Sequence, residues 1–259
     1  MRNMQILDKK AIFIDIDNTL IPHSTNESPS EYDIEQMVEA RRQGHMVFLN
    51  TGRSYAFISP EMRNASYIDG IVAGGGAHVI LNGKTIHHRI IEEDMLCTIA
   101  DLYLRIGKWC QFEGEEFNFR VQDKEGFFPI HSGEDFRNLY KGARVTKITM
   151  EGMVTPEERK ILHPYFYLYK QSGYSEGIIR GESKTGGIGR ILEATGIPLK
   201  NTIGIGDSSN DIEMIINVAF GIAMGNAVIE LKQAADAITD DVSHSGVGKA
   251  IAKYVLNAD

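Results

Sequence analysis

The stretch AIFIDIDNTL, residues 11–20, closes an apolar run with two acids, Asp15 and Asp17, two positions apart. If the strand continues through them, its period of two turns both carboxylates to one side, where they repel unless a cation or a shared proton lies between them. A second polar cluster comes late in the chain, Asp207, Ser208, Asn210 and Asp211 in GDSSND. Together the acids form an oxygen-rich set of the kind Mg²⁺ takes when it is held by one or two carboxylates and a substrate phosphate. Thr51 in TGR offers a hydroxyl, Lys184 in GESKTGG an ammonium, and the loop after Asp15 free amides. Aimed at phosphate oxygens, these groups would stabilise charge that spreads over them during transfer. Each stretch alone also reads as structure: Asp-Asn-Thr and TGR as turns, GDSSND as an Asx-turn and helix N-cap. Their combination fits phosphoryl transfer.

In an open parallel sheet, functional groups gather beyond the carboxyl ends of the strands, and the surrounding segments supply such strands. Residues 11–16 read as a strand, and EYDIEQMVEARRQG as a helix with Ile34, Met37 and Val38 at helical spacing, stopped by Gly44. HMVFLNTGR and DGIVAGGGAHVI read as further strands. The rhythm returns late, with GGIGRILEATGI and DIEMIINVA as helices, and NTIGIGDSSND and AFGIAMGNA as strands running into loops. From 83 to 182 the texture changes: this part holds the only tryptophan, both cysteines and alternating segments such as CQFEGEEFNFRV and HPYFYLYK that suit antiparallel strands. The expected fold is α/β, a Rossmann-like parallel-sheet core built from residues 1–82 and 183–259, with residues 83–182 inserted as an α+β domain.

Composition is that of an ordinary globular chain of 259 residues, 42% hydrophobic and 24% charged. The formal charge of −8 argues against a surface built to grip nucleic acid or anionic lipid. No apolar run reaches about 18 residues, and MRNMQILDKKAIFIDID carries no leader pattern, so a cytoplasmic monomer or homodimer without membrane or nucleic-acid partners is expected. Cys97 and Cys110 lack a metal-type spacing and read as reduced core thiols.

DIDNT, TGR, Lys184 and GDSSND, in that order, resemble the four motifs of the haloacid dehalogenase superfamily of phosphohydrolases. The tail, from SKTGGIGRILEATGI through AFGIAMGNA to VSHSGVGKAI, is similar to the Cof-type, sugar-phosphatase-like branch, whose cap is inserted between the second and third motifs. The resemblance implies a Mg²⁺-dependent phosphatase acting on small phosphomonoesters, sugar phosphates or related metabolites. Asp15 would be the nucleophile that forms an aspartyl-phosphate, and Asp17 the general acid and then base. Thr51 and Lys184 would hold the phosphoryl group, with Asn18, Gly52 and Asn210 in the phosphate-binding set. The Asp15 carboxylate, the Asp17 backbone carbonyl and Asp207 would ligate Mg²⁺, supported by Asn210 and Asp211. Three positions depart from the branch: Asn18 and Thr185 stand where glycine is usual, and Gly75 where an asparagine faces the substrate. Selectivity is therefore expected to come from the cap.

A phosphomutase of the same superfamily, or a binding regulator that keeps the pocket without turnover, would carry the same motifs. A dinucleotide site built on GIGDSS lacks its third glycine, which is Ser209, and a P-loop reading of SKT would need glycine at Ile178 and Ser183. Scattered histidines (His23, His78, His87, His88, His163) read as surface or satisfied core residues, and Arg53 as an orienting or surface-paired cation. Glu113, Asn118 and Arg120 are substrate contacts if their strand pair faces the core.

Overall fold

The computed structural model describes residues 9–23 and 28–257. The segment read for a leader, residues 1–8, lies outside the described residues. Along the chain come β1 (Ala11–Ile14), α1 (Glu31–Arg42), β2 (Met46–Asn50), α2 (Pro60–Arg63), β3 (Gly70–Ala73), β4 (His78–Leu81) and β5 (Lys84–His88). Next are α3 (Glu93–Ile106), β6 (Cys110–Gly114), β7 (Asn118–Val121), β8 (Phe128–Ile130), α4 (Asp135–Asn138), β9 (Val145–Glu151), α5 (Pro156–Leu162), β10 (Phe166–Lys170) and β11 (Tyr174–Ile179). The chain continues with α6 (Lys184–Thr195), β12 (Thr202–Gly206), α7 (Ile212–Asn217), β13 (Phe220–Ala223), α8 (Ile229–Ala234), β14 (Ala237–Ile238) and α9 (Gly246–Tyr254).

Among the described residues the strands form two sheets. The first has the order β14-β13-β12-β1-β2-β3-β4-β5, parallel from β14 to β3 and antiparallel over its last two pairings. β1 lies between β12 and β2 with every residue buried, which is why it is a continuous apolar run without alternation. Phe13 and Phe48 stack at 5.1 Å across β1 and β2. Helices cover this sheet, α1 pairing with α9 and α6 with α7. The second sheet, β10-β11-β9-β6-β7-β8, is antiparallel except for β7 with β8, and its own apolar core joins Phe112, Phe119 and Ile148 to Ile99, Leu102 and Tyr103 of α3.

Three local expectations change. β1 ends at Ile14 rather than at residue 16, because the chain turns at Ile16, whose carbonyl accepts from the backbone N–H groups of Leu20 and Ile21. DGIVAGGGAHVI is not one strand: Gly74, Gly75 and Gly76 all take positive φ and reverse the chain into the antiparallel pair β3 and β4. Past the expected boundary at residue 82, β5 pairs with β4 and extends the first sheet, so the second sheet begins only at Cys110.

Candidate active site

β1 and β12 are parallel neighbours, with Ile14 opposite Ile205. The chain leaves β1 toward β2 on one side and β12 toward β13 on the other, so the crevice beyond their carboxyl ends lies at the point where strand order reverses. Asp15 and Asp207 emerge there, and the Asp15 N–H still donates to the Ile205 carbonyl at 3.0 Å. The loop after Asp15 folds back on itself, with Asn18 at φ 56° and its N–H donating to the Ile21 carbonyl. Asparagine is among the few non-glycine residues that take this left-handed position readily. Thr19 Oγ1 donates to Asp207 Oδ1 at 3.0 Å and ties this loop to the β12 strand end.

Lys184 is the first residue of α6, whose N-cap Ser183 accepts from the Gly186 N–H. Its buried Nζ donates to Asp15 Oδ1 at 2.7 Å and to Asp211 Oδ1 at 2.6 Å. The other Asp211 oxygen accepts from the N–H groups of Asp207 and Ser208, at 3.1 and 3.2 Å. This return of Asp211 beneath β12 needs glycine at 206, where a Cβ would lie 2.6 Å from the Asp211 carboxyl carbon. Thr51, just past β2, is anchored by its N–H to the Val72 carbonyl, and its hydroxyl accepts from the Arg53 N–H at 3.1 Å.

Asp17 is not held by strand period, since β1 has ended. Its carboxylate accepts two bonds from Arg53, Nε to Oδ2 at 2.8 Å and Nη2 to Oδ1 at 2.7 Å, and His23 Nδ1 lies 3.5 Å away. At these strand ends the side chains clustered closely enough to hold a metal are instead Asp15, Asp207 and Asp211, with ligand oxygens within 4.8 Å of one another; among the described residues His78, His88 and Glu115 form a second such group away from this floor. The Asp17 carboxylate is not part of this cluster. Asp211 is engaged on both oxygens by Lys184 and two amides, which suits a supporting role.

Three buried carboxylates face one ammonium, and the imbalance shows in the titration of Asp15 and Asp207. Burial, and then the Asp211 charge, push Asp15 well above the usual carboxylate range. Burial and Asp211 likewise raise Asp207 to about 6. Burial alone would lower Lys184, but Asp15 and Asp211 outweigh it and raise it. An all-oxygen donor set with excess negative charge fits a hard divalent cation.

Above these groups lies a cavity of about 720 Å³. Its floor includes Asp15, Asp17, Asn18, Thr51, Gly52, Asp207 and Asn210; Lys184 is packed behind Asp15 and does not line it. The second sheet supplies the opposite wall, with Gln111, Glu113, Lys147, Thr149 and Glu176. Of the three residues expected on that sheet, Glu113 reaches the cavity. Asn118 does not line it, accepting from Gly114 N and Ser54 Oγ, and Arg120 lies over the Trp109 ring at 4.6 Å. Lys147 and Glu176 were missed, although their alternation with Ile148 and Gly177 is the signal of strand positions that turn away from the apolar core.

His78 and His88 lie outside the cavity, stacked at 3.9 Å beside Glu115 and Arg144. His87 pairs with Glu182 and His163 with Arg180, while His23 lines the cavity. At Gly75, φ 63°, a Cβ would lie 3.2 Å from Ile178 of β11, so the second sheet occupies the space that a side chain there would need.

A family model described as haloacid dehalogenase-like hydrolase matches residues 12–251. The chain is 29% identical over 251 residues to phosphoglycolate phosphatase 1 of Saccharolobus solfataricus, covering 95% of this chain and 96% of the relative. It is 27% identical over 262 residues to the 5-amino-6-(5-phospho-D-ribitylamino)uracil phosphatase YcsE of Bacillus subtilis, covering 96% and 97% of the two chains. Among solved structures, one described as the subclass IIB sugar phosphatase BT4131 superposes with a TM-score of 0.79 at 28% identity, covering 95% of this chain and 99% of the other.

Proposed function

Because the chain belongs to the haloacid dehalogenase-like hydrolases, we propose that it is a Mg²⁺-dependent phosphatase of small phosphomonoesters, sugar phosphates or related metabolites, working through an aspartyl-phosphate on Asp15. The observation that carries this reading is the placement of Asp15 on the cavity floor, beside Asp207 and braced from behind by Lys184. The Asp15 carboxylate attacks phosphorus and the bond to the leaving oxygen breaks. Asp17 gives that oxygen a proton, then takes one from the water that cleaves the acyl phosphate, which releases phosphate and restores Asp15. Thr51 and the amides of the loop holding Asn18 stabilise the transferring group, with Gly52 and Asn210 beside them, and Lys184 acts on it through the Asp15 carboxylate that it holds.

Asp15, Asp207 and the Asp17 carbonyl would hold Mg²⁺, which when bound offsets phosphate charge and lowers the proton affinity of the nucleophile. The second sheet and its helices act as a cap that excludes water and recognises the leaving group. The buried free thiols Cys97 and Cys110 suit a reducing cytoplasm. Among the described residues no helix is long and apolar enough to cross a membrane.

The test is a panel of phosphorylated metabolites and an aryl phosphate, assayed with Mg²⁺ and with EDTA. Turnover that needs the metal is expected, and turnover indifferent to EDTA, or none at all, rejects the reading.

A further inference from the structure

We propose that Glu113, Lys147 and Glu176 are specificity-determining residues that select an uncharged, hydroxyl-bearing leaving group over one that carries a carboxylate. The inference rests on the phosphatase reading and concerns the half of the substrate that the floor motifs do not address.

Strand register brings the three together. β9 runs between β6 and β11, Lys147 standing opposite Glu113 on one side, while Glu176 on the other is opposite Thr149, one pair further along. Side chains two apart on a strand share a face, so Gln111 and Glu113, Lys147 and Thr149, and Glu176 all turn to the cavity while Phe112 and Ile148 turn to the apolar core.

The ammonium of Lys147 is already committed. It donates to the Gly52 carbonyl at 3.2 Å, forms an ion pair with Glu176, and lies 3.8 Å from Glu113 Oε2. Its side chain is only 6% exposed, and those of Glu113 and Glu176 are 5% and 17% exposed. Two carboxylates face one ammonium; burial raises the pKa of Glu113 while Lys147 counters part of that rise and helps hold Glu176 ionised, so with both acids ionised this buried wall carries one net negative charge. Lys124, the other cation of the wall, is exposed at the rim over Phe127, where solvent screens it.

A carboxylate on the leaving group would meet Glu113 and Glu176 where their burial leaves the like charges poorly screened. Hydroxyls meet no such penalty. They donate to the two glutamates and accept from the Gln111 amide, an alternation of donors and acceptors that suits a polyol or sugar. Thr149 Oγ1 itself donates to Glu113 Oε1 and Gln171 Nε2 to Glu176 Oε2, so both glutamates are held in place before substrate arrives. The contact from Lys147 to Gly52 sets this wall directly against the phosphate-binding floor.

The experiment uses glycerol 3-phosphate and 3-phosphoglycerate, which differ in one hydroxymethyl against one carboxylate, as substrates and as competitors of aryl phosphate hydrolysis. Wild type is expected to favour glycerol 3-phosphate by about tenfold or more in kcat/KM or inhibition constant, the factor produced by about 1.4 kcal/mol of repulsion. Glu113→Gln or Glu176→Gln should move that ratio toward one, and Lys147→Met should widen it. A purely structural role would weaken both ligands alike and leave the ratio where it was. Equal performance of the two compounds with wild type, including no competition by either, overturns the proposal, as does a ratio that glutamine leaves unchanged. A wild type without aryl phosphatase activity removes the phosphatase reading and this inference with it, whereas an active enzyme with equal ratios removes the selectivity alone.

Discussion

Lys184 and Asp15, 169 positions apart in the chain, meet at 2.7 Å, and the same ammonium reaches Asp211 at 2.6 Å. The contact joins the N-terminus of α6 to the end of β1 and is buried on all sides, so a single cation offsets two carboxylates that could not otherwise share the space.

Lys184→Met should therefore act on both stability and rate. Leaving two buried acids uncompensated is expected to cost about 3–5 kcal/mol in EDTA, and turnover should fall by about a hundredfold to a thousandfold. Mg²⁺ should restore more stability to the variant than to wild type, because it supplies part of the missing charge. Urea denaturation with and without metal measures this, and a variant as stable as wild type in EDTA would contradict it.

Asp15 and Asp17 should separate by role. Asp15→Asn is expected to abolish both turnover and covalent labelling by phosphate. Asp17→Asn should slow a poor alkyl leaving group far more than an activated aryl one, which needs little protonation. Equal slowing of the two substrates would withdraw the general-acid assignment.

The stacked pair His78 and His88 should make stability depend on pH. Burial, and then the neighbouring charge of His88 for one and of Arg144 for the other, lower their pKa values to about 3 and about 4, despite Glu115 at 3.7 Å from each. An unfolded histidine titrates near 6.5, so between about pH 4 and 6.5 the unfolded chain binds more protons than the fold. The contribution is whole above pH 6.5 and is lost as pH falls toward 4 for His88 and toward 3 for His78, amounting to roughly 2–4 kcal/mol for the pair at pH 5. Denaturation midpoints at pH 7 and 5 should show that His88→Gln removes about half of this loss. An unchanged loss would mean the pair is not its source.

Gly75→Asn tests whether the space beside Ile178 admits a side chain. Asparagine tolerates φ 63°, so the obstacle is Ile178, against which a side chain would press. The substitution is expected to cost about 1–3 kcal/mol, part of which Ile178→Ala should return in the double variant. Strict additivity of the two changes in a double-mutant cycle would show that they do not interact.

The amino-acid sequence by itself determined the part of the site carried by local pattern. β1, β2 and β12 are apolar runs too continuous for a half-exposed strand, and each runs into a short polar loop, so Asp15, Thr51 and Asp207 were readable as strand-end groups without knowing what faced them. Asn18 was likewise readable as a left-handed turn residue. The tertiary structure alone decided the rest. Asp17 points to Arg53 because β1 stops at Ile14, a boundary that no periodicity marks. Lys147 and Glu176 face the cavity because of how β9 and β11 pair, and a slip of one residue would send both to the opposite face of the sheet. Ile178 meets Gly75 only because the second sheet closes over the first, a contact between segments about a hundred residues apart that local composition cannot encode.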